Sequence, residues 1–409
     1  MQTNLAESIR NTARGREADR ILRACVHCGF CTATCPTYQV LGDELDGPRG
    51  RIYQIKLALE GAEPTRRTQR HLDRCLTCLN CVTTCPSGVE YHHLLDIGRE
   101  YVEEHVDRAL PARTLRWLLR KVLPFPARMR PLLRLGQALR PLLPTALRNK
   151  VPPPQAFDTP PATRHARRML ILDGCVQPAM TPRTNAVTAA VLDSIGVSAV
   201  SAPAAGCCGA LSHHLSASAE ARDFMRRNID AWWPEIERGA EAIVTTASGC
   251  GAMVKEYGYH LRDDPDYCDR ARRVSELAKD LCEVITPEDV SQLEGKRAGR
   301  IAFHPPCTLQ HAQKLSGVTE RLLSAAGFDL VPVPDSHLCC GSAGTYSILQ
   351  PSMAGQLRER KLTALQSGDP DLIATANIGC QIHLQGESSV PVVHWIELLA
   401  QKEPSPQST

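Results

Sequence analysis

Two cysteine runs near the N-terminus constrain this chain more than any other feature. The first reads CVHCGFCTATCP from Cys25, and the second reads CLTCLNCVTTCP from Cys75. Both follow the pattern C-x2-C-x2-C-x3-C-P. In this spacing three thiolates bind three irons of a four-iron cubane, and the fourth cysteine of the run ligates the other cluster. The two runs therefore predict two [4Fe–4S] clusters.

Under this crossing rule each cluster takes three cysteines from one run and one from the other. The predicted ligands of the first cluster are Cys25, Cys28, Cys31 and Cys85. Those of the second are Cys75, Cys78, Cys81 and Cys35. Structural zinc is disfavoured because zinc sites usually combine pairs of CxxC. Disulfides are disfavoured because residues 1–20 contain no apolar core of a signal peptide, which argues against an oxidising compartment.

Size and composition narrow the functional classes. A chain of 409 residues is long enough for two or three domains. A net charge of +3 and an aromatic content of 4% give no signature of nucleic-acid binding. No apolar run is long enough to span a bilayer. We therefore expect a cytoplasmic protein, with any membrane contact peripheral and on the inner face of the cytoplasmic membrane.

Residues 1–110 are predicted to form a mostly helical, ferredoxin-type domain. Between the two runs, Ile52, Ile55 and Leu59 share one helical face. This helix follows the sequence Gly-Pro-Arg-Gly-Arg at 47–51. Its arginines could face the negative charge of a cluster or dock a partner, but solvated surface is the favoured interpretation for each of them.

Residues 111–168 are predicted to be a basic, proline-rich linker. They contain 13 Arg or Lys residues, and Asp158 is their one acidic residue. Leu115, Leu118, Leu119 and Val122 could form an apolar face that suits an anionic membrane or an acidic partner. An extended linker is favoured over that helix.

An internal repeat occupies the rest of the chain, with copies predicted at 169–292 and 293–409. Each copy has a lead cysteine, then a Cys-Cys-Gly triplet after 31 intervening residues, then a cysteine that follows a strand-like run. The corresponding cysteines are 132 positions apart, except the last pair, which are 130 apart. Alternating strand-like and helix-like stretches predict two α/β units with parallel sheets.

The repeat cysteines are predicted to gather at a further metal or redox site, because ligands collect at the carboxyl ends of parallel strands. They are Cys175, Cys207, Cys208 and Cys250 in the first copy, and Cys307, Cys339, Cys340 and Cys380 in the second. Either eight thiols meet in one region or four lie at each of two sites. Adjacent cysteines diverge, which favours an iron–sulfur cluster over one zinc ion, and both stay open. Cys268 and Cys282 belong to neither motif and are interpreted as ordinary thiols.

The two ferredoxin-type runs followed by two Cys-Cys-Gly repeats resemble the iron–sulfur subunits of glycolate oxidase (glycolate dehydrogenase). They are also similar to related proteins of the CCG superfamily, namely the cysteine-rich subunit of anaerobic glycerol-3-phosphate dehydrogenase, lactate-utilisation proteins and heterodisulfide reductase. The resemblance covers nearly the whole chain. One departure is that the full motif of heterodisulfide reductase ends in CxxC, whereas here Met253 and His383 replace the fifth cysteine. A four-thiolate cluster, a site with His383 as ligand, zinc and an empty thiol site remain open.

The resemblance implies an electron-transfer subunit with no catalytic residue of its own. No G-x-G-x-x-G fingerprint is present, so FAD is expected on partner subunits that convert glycolate to glyoxylate. A flavin accepts a hydride and releases single electrons, which this chain would carry to a membrane acceptor such as quinone. The alternatives are the equivalent subunit of a lactate or glycerol-3-phosphate dehydrogenase and, from another class, a redox-sensing metal protein.

Overall fold

Eight short helices surround the two cysteine runs in the N-terminal domain. A computed structural model describes residues 1–142, 151–155, 161–162, 164–293 and 299–400. The helices are α1 (Glu7–Arg10), α2 (Ala13–Ala24), α3 (Phe30–Ala33), α4 (Pro36–Leu41), α5 (Pro48–Leu59), α6 (Arg66–Asp73), α7 (Asn80–Thr83) and α8 (Tyr91–His105), with a 3-10 turn at Glu44–Asp46.

Capping and close packing fix these helices. The Thr12 side chain accepts a hydrogen bond from the Gly15 amide and caps α2, and Pro48 begins α5 at the position where no amide donor is needed. The predicted face of Ile52, Ile55 and Leu59 is buried. Helices α5 and α8 approach closely at Gly98, where a Cβ atom would lie 2.5 Å from Cγ1 of Ile55.

The first half of the predicted linker is helical rather than extended. Helices α9 (Leu110–Val122) and α10 (Pro126–Ala138) precede a 3-10 turn at Arg140–Leu142. Salt bridges from Arg116 to Asp73 and from Lys121 to Glu220 hold α9 against both neighbouring domains. These acidic partners are distant in sequence, so local patterning could not identify them. In its Pro-rich second half, residues 143–150, 156–160 and 163 lie outside the described residues.

Each repeat contains a four-stranded parallel sheet. The strands are β1 (Arg167–Leu172), β2 (Val197–Ser201), β3 (Ile243–Thr245) and β4 (Ala278–Asp280), then β5 (Arg300–His304), β6 (Asp329–Leu330), β7 (Leu372–Thr375) and β8 (Val392–His394). The strand orders are β2-β1-β3-β4 and β6-β5-β7-β8, so the two topologies are identical.

Helices connect the strands, as the parallel topology requires. In the first repeat they are Gln177–Met180, Pro182–Ser194, Ala210–His214, Ser218–Glu237, Ser248–Lys255, Tyr257–His260, Cys268–Leu277, Leu281–Val284 and Pro287–Gln292. In the second they are a π-helix at Thr308–Ala312, then Val318–Ala325, Tyr346–Leu349, Pro351–Gln366 and Ile378–Gln385, with a final 3-10 turn at Trp395–Leu399.

The two repeats share one apolar core. It joins Met169 and Ile171 of β1 to Ile301 and Phe303 of β5 and to the fully buried Trp395. The final turn also reaches the first repeat through polar contacts, since the Thr184 hydroxyl donates to Glu397 at 2.6 Å and the His394 ring donates to the Thr246 carbonyl at 2.8 Å. The repeats are therefore packed as a single unit.

The N-terminal domain contacts both repeats. Polar pairs link it to the first repeat, with His213 2.9 Å from Asp96, His93 3.1 Å from Glu256, and Arg262 2.6 Å from Glu17.

None of the helices in the described ranges has the length and apolar character needed to cross a membrane.

The close contact between α5 and α8 predicts that alanine substitutions at two helical glycines have opposite effects on stability. Gly98→Ala should destabilise the protein by about 1–3 kcal/mol, because the added methyl group overlaps Ile55. The control is Gly355→Ala in helix Pro351–Gln366, where a Cβ meets no atom within 4 Å, and it should stabilise by about 0.5–1 kcal/mol. Urea unfolding of both variants measures this, and an unchanged midpoint for Gly98→Ala would contradict the packing.

Candidate metal centres

The first cavity of the N-terminal domain is lined by Cys25, Cys28, Cys31 and Cys85. These are the four cysteines that the crossing rule assigns to one cluster. Cys25 follows α2 directly, and Gly29, with φ of 90°, begins α3 between Cys28 and Cys31. Residue 29 thus lets the chain turn sharply enough for neighbouring thiols to face the same space.

The second cavity is lined by Cys35, Cys75, Cys78 and Cys81, which is the other assigned set. Its spacers repeat the geometry of the first run. His27 and Thr77 have φ of 60° and 53°, and Leu79 has φ of 60° where the first run has Gly29. Left-handed conformations of non-glycine residues cost about 1–3 kcal/mol each, so the surrounding fold must enforce them.

The two cavities are neighbours. Pro48, Cys81 and Tyr91 line both of them. The Tyr91 hydroxyl lies 3.6 Å from Sγ of Cys75, and the side chain is buried. The two cavities therefore share part of their lining.

The arginines of the Gly-Pro-Arg-Gly-Arg sequence face the cavities, and the expectation of solvated surface was wrong for Arg51. Its side chain is 1% exposed, lines the second cavity and donates to Thr37, Asp46 and the His71 carbonyl. Burial lowers the pKa of Arg51, but Cys75, Tyr91, Cys35 and Asp46 outweigh burial and raise it. Arg49 lines the first cavity and pairs with Glu44 at 2.6 Å. Each cavity therefore has a fixed cation beside its thiols.

Burial disfavours free thiolates in these cavities. It raises the pKa of Cys31 to about 11 and the pKa values of Cys78 and Cys81 well above their usual range. Buried thiols of this kind are poor nucleophiles, whereas a bound metal deprotonates its thiol ligands outright. The donor set therefore fits metal centres better than redox-active free thiols.

In the first repeat, Cys175, Cys207, Cys208 and Cys250 gather beyond the carboxyl ends of β1 and β3. Cys175 interacts with Cys207, and Cys208 interacts with both Cys207 and Cys250. The Gly209 amide donates to Sγ of Cys207 at 3.5 Å, which its φ of 92° allows. Hydrogen bonds from Cys175 and Cys208 lower the pKa of Cys207, and the positive charge of Arg227 adds to the effect.

In the second repeat, Cys307, Cys339, Cys340 and Cys380 form the corresponding group. Cys307 interacts with Cys339, and Cys340 interacts with both Cys339 and Cys380. The Gly341 amide donates to Sγ of Cys339 at 3.4 Å. Each repeat thus gathers its own four thiols, which is the second of the two arrangements considered from the sequence.

The second repeat's site adjoins the second cavity. Cys78 interacts electrostatically with Cys307 and Cys339, and all three belong to one apolar cluster with Leu76. Nearby contacts fix this arrangement: the Asn80 amide donates to the His337 carbonyl at 3.2 Å, and the Tyr346 hydroxyl donates to the Arg74 carbonyl at 3.1 Å.

Two cations beside the repeat sites were not identified from the sequence. Lys361 is 3% exposed, donates to the Asp335 carbonyl at 2.8 Å and interacts with Cys307, Cys339 and Cys340. Arg227 is the counterpart beside Cys207. Both lie on long helices whose pattern alone gives no sign of which residue will face a cysteine site.

The remaining sequence candidates are not among the four thiols of either repeat site. The His383 ring nitrogen Nε2 is 3.3 Å from the Ala354 carbonyl oxygen, which is a structural contact. Cys282 is buried in the core shared by the repeats, and Cys268 begins a helix at the surface of the first repeat. Cys268 and Cys282 therefore fit the interpretation as ordinary thiols.

Comparisons with known proteins agree with this division of the chain. The family described as "4Fe-4S dicluster domain" matches residues 21–89, and the family described as "Cysteine-rich domain" matches residues 169–255 and 301–385. The "Glycolate oxidase iron-sulfur subunit" of Escherichia coli (strain K12) is 60% identical over 98% of this chain and 99% of its own length. The "Probable glycolate oxidase iron-sulfur subunit" of Bacillus subtilis (strain 168) is 30% identical over 93% of this chain and 92% of its own.

More distant proteins match more weakly. "Lactate utilization protein A" of Geobacillus kaustophilus (strain HTA426) is 29% identical over 52% of this chain and 90% of its own length. A solved structure described as "a hypothetical protein from Helicobacter pylori" aligns with a TM-score of 0.55 and 10% identity, over 97% of this chain and 74% of that one. The latter likeness concerns the fold alone.

Single serine substitutions test the two ligand sets. Cys28→Ser and Cys78→Ser should each remove one of two [4Fe–4S] signals in the EPR spectrum of the reduced protein, because one cubane corner loses its thiolate. Cys268→Ser is the matched control and should retain both signals, since Cys268 lines neither cavity. Retention of both signals in Cys28→Ser or Cys78→Ser would contradict the assignment.

Proposed function

This chain belongs to the family of glycolate oxidase iron–sulfur subunits, and we propose that it carries single electrons from FAD-containing partner subunits to a membrane acceptor such as quinone. It is the electron-transfer subunit of a glycolate oxidase, an oxidoreductase. The observation that carries the proposal is the adjacency of three thiol-lined sites, since the two N-terminal cavities share a wall and the second adjoins the site in the second repeat.

The two N-terminal cavities hold one [4Fe–4S] cluster each in this proposal. Cys25, Cys28, Cys31 and Cys85 bind the first, and Cys75, Cys78, Cys81 and Cys35 bind the second. Oxidation of a 2-hydroxy acid releases two electrons as a hydride, which a flavin can accept and pass on singly. This chain's residues hold the one-electron carriers, and Arg49 and Arg51 offset the negative charge of the thiolates.

Electrons enter at the first cavity in this proposal. Cys28 is exposed, and Val26 and Phe30 beside it are 67% and 62% exposed, although both are apolar. Exposed apolar side chains at the mouth of a redox site suit a docking protein that excludes water. The flavoprotein is the expected occupant, because the electrons come from it.

Reduction kinetics test this function. Glycolate added with the FAD-containing partners should bleach the iron–sulfur absorbance of the wild-type chain, whereas lactate and glycerol 3-phosphate should not. Phe30→Ser should slow the bleaching at least several-fold while both cubane EPR signals remain, because only docking is impaired. Bleaching without the partners, or equally by lactate, would overturn the glycolate assignment.

The membrane contact is assigned to α9, α10 and the turn that follows. Residues 109–142 contain no acidic side chain. Three of their cations, at 116, 120 and 121, lie near Asp73 or Glu220, while Arg113, Arg128, Arg130 and Arg134 are exposed. The exposed large apolar residues of the same segment are Leu110, Leu115, Trp117, Leu118, Leu132, Leu135, Leu139 and Leu142.

This combination suits an anionic bilayer. Leucine and tryptophan enter the interface while arginine contacts anionic headgroups, and each cation near the surface contributes about 1 kcal/mol. A peripheral contact of this kind brings the protein to a quinone that is dissolved in the membrane. An acidic partner protein is the competing occupant.

Vesicle binding distinguishes the two occupants. The full chain should bind vesicles containing anionic lipid, and Arg130→Gln with Arg134→Gln should weaken binding roughly thirtyfold, since two cations are lost. Arg272→Gln with Arg273→Gln, two exposed arginines on another helix, should bind like wild type. Equal binding by both double variants, or none by wild type, would favour the acidic partner instead.

A further inference from the structure

His304 is a buried histidine without a hydrogen-bond partner among the described residues. It ends strand β5 and is 0% exposed, and neither Nδ1 nor Nε2 is hydrogen-bonded there. Buried polar side-chain atoms are almost always paired, because desolvation without a partner costs about 1–3 kcal/mol. The imidazole therefore calls for a partner other than a protein group.

The nearest candidate ligand atoms are thiols of the second repeat's site. One ring nitrogen of His304 and the sulfurs of Cys340 and Cys380 all lie within 4.8 Å of one another. Metal–sulfur bonds of about 2.3 Å and metal–nitrogen bonds of about 2.0–2.1 Å place ligand atoms of one ion just under 4 Å apart. Small side-chain adjustments bring these three atoms to that spacing.

The first repeat lacks this imidazole. The residue 132 positions before His304 is Leu172, which is also buried at the end of its strand. The two sites also differ in exposure, since Cys175 and Cys250 are partly exposed whereas all four thiols of the second site are buried. The repeats thus share a topology but have different donor sets.

We propose that His304 is a nitrogen ligand of an iron–sulfur centre bound by Cys307, Cys339, Cys340 and Cys380. The proposal rests on the proposed electron-transfer function, which it extends by one carrier. Four thiols and one imidazole exceed the four ligands of a tetrahedral ion, so this donor set suits two metal atoms better than one. The neighbouring Cys78 places the centre beside the second cubane.

The neutral imidazole adds no negative charge to the four thiolates, whereas a fifth thiolate would, so the reduction potential of the centre is higher with histidine than with cysteine at position 304. A centre held by these residues would accept one electron from a reduced cluster in the second cavity, which would be oxidised in the same step. No bond is made or broken. The centre would then be the carrier from which electrons leave the chain.

The test compares anaerobically purified full-length wild type, His304→Leu and His304→Cys, with His383→Gln as the nearby histidine control. Iron and acid-labile sulfide are measured per chain, and electron spin-echo spectroscopy detects nitrogen coupled to each reduced centre. Two cubanes account for about eight irons per chain. Wild type and His383→Gln should contain more iron than that and should show histidine-nitrogen coupling. His304→Leu should lose the coupling and part of the iron and keep both cubane signals.

His304→Cys should retain the iron, lose the nitrogen coupling and show a lower midpoint potential for this centre. The proposal is overturned if wild type shows no histidine-nitrogen coupling, if zinc replaces iron at this site, or if His304→Leu retains the coupling. The wild-type spectrum decides even if the variants do not fold. If glycolate, added with the FAD-containing partners, did not reduce the cubanes of the wild-type chain, the proposed function would be overturned instead.

Discussion

The crossing of the two cysteine runs is the constraint on which the N-terminal domain depends. Cys85 reaches the first cavity and Cys35 reaches the second, so the cavities are closed by the two ends of residues 25–85 and of residues 35–81, respectively. The inserted helix α5 must then lie against both cavities, and Pro48, at its first turn, lines each of them. This explains why α5 and α8 pack so closely that residue 98 has to be glycine. The position of the cysteines thus determines the packing of the helices.

Metal-bound thiolates buried in this number need positive charge nearby. Arg51 supplies it at the second cavity, and Lys361 supplies it at the site of the second repeat. Arg51 and Lys361 are almost fully buried, and both are held by backbone carbonyls as well as by the charge of their surroundings. A buried cation without negative neighbours would be costly, so each of them implies persistent negative charge nearby. Asp46 meets part of that need for Arg51, and the cysteine sites meet the rest.

Sequence reasoning succeeded where chemistry depends on spacing and failed where it depends on distant partners. Each predicted ligand set lines one cavity, with Cys81 lining both, and the offset of 132 residues predicted two α/β units of equal topology. Arg51 was misjudged because Asp46 and the cavity become its environment only after folding. Helix α9 was misjudged because Asp73 and Glu220, which pair with its cations, lie in other domains. His304 was detectable in principle, since aligning the two copies sets it against Leu172.

The difference between His304 and Leu172 bears on how two copies of one unit can come to have different redox properties. Two identical sites related by the repeat would have similar potentials, and electrons would show no preference between them. Two observations break the equivalence: the second site alone has a buried imidazole among its described neighbours, and Cys78 places it beside the second cavity. The site that adjoins the second cavity is therefore also the site with an imidazole beside its thiols. The sequence difference at one strand end and the position of the N-terminal domain thus both distinguish the second site from the first.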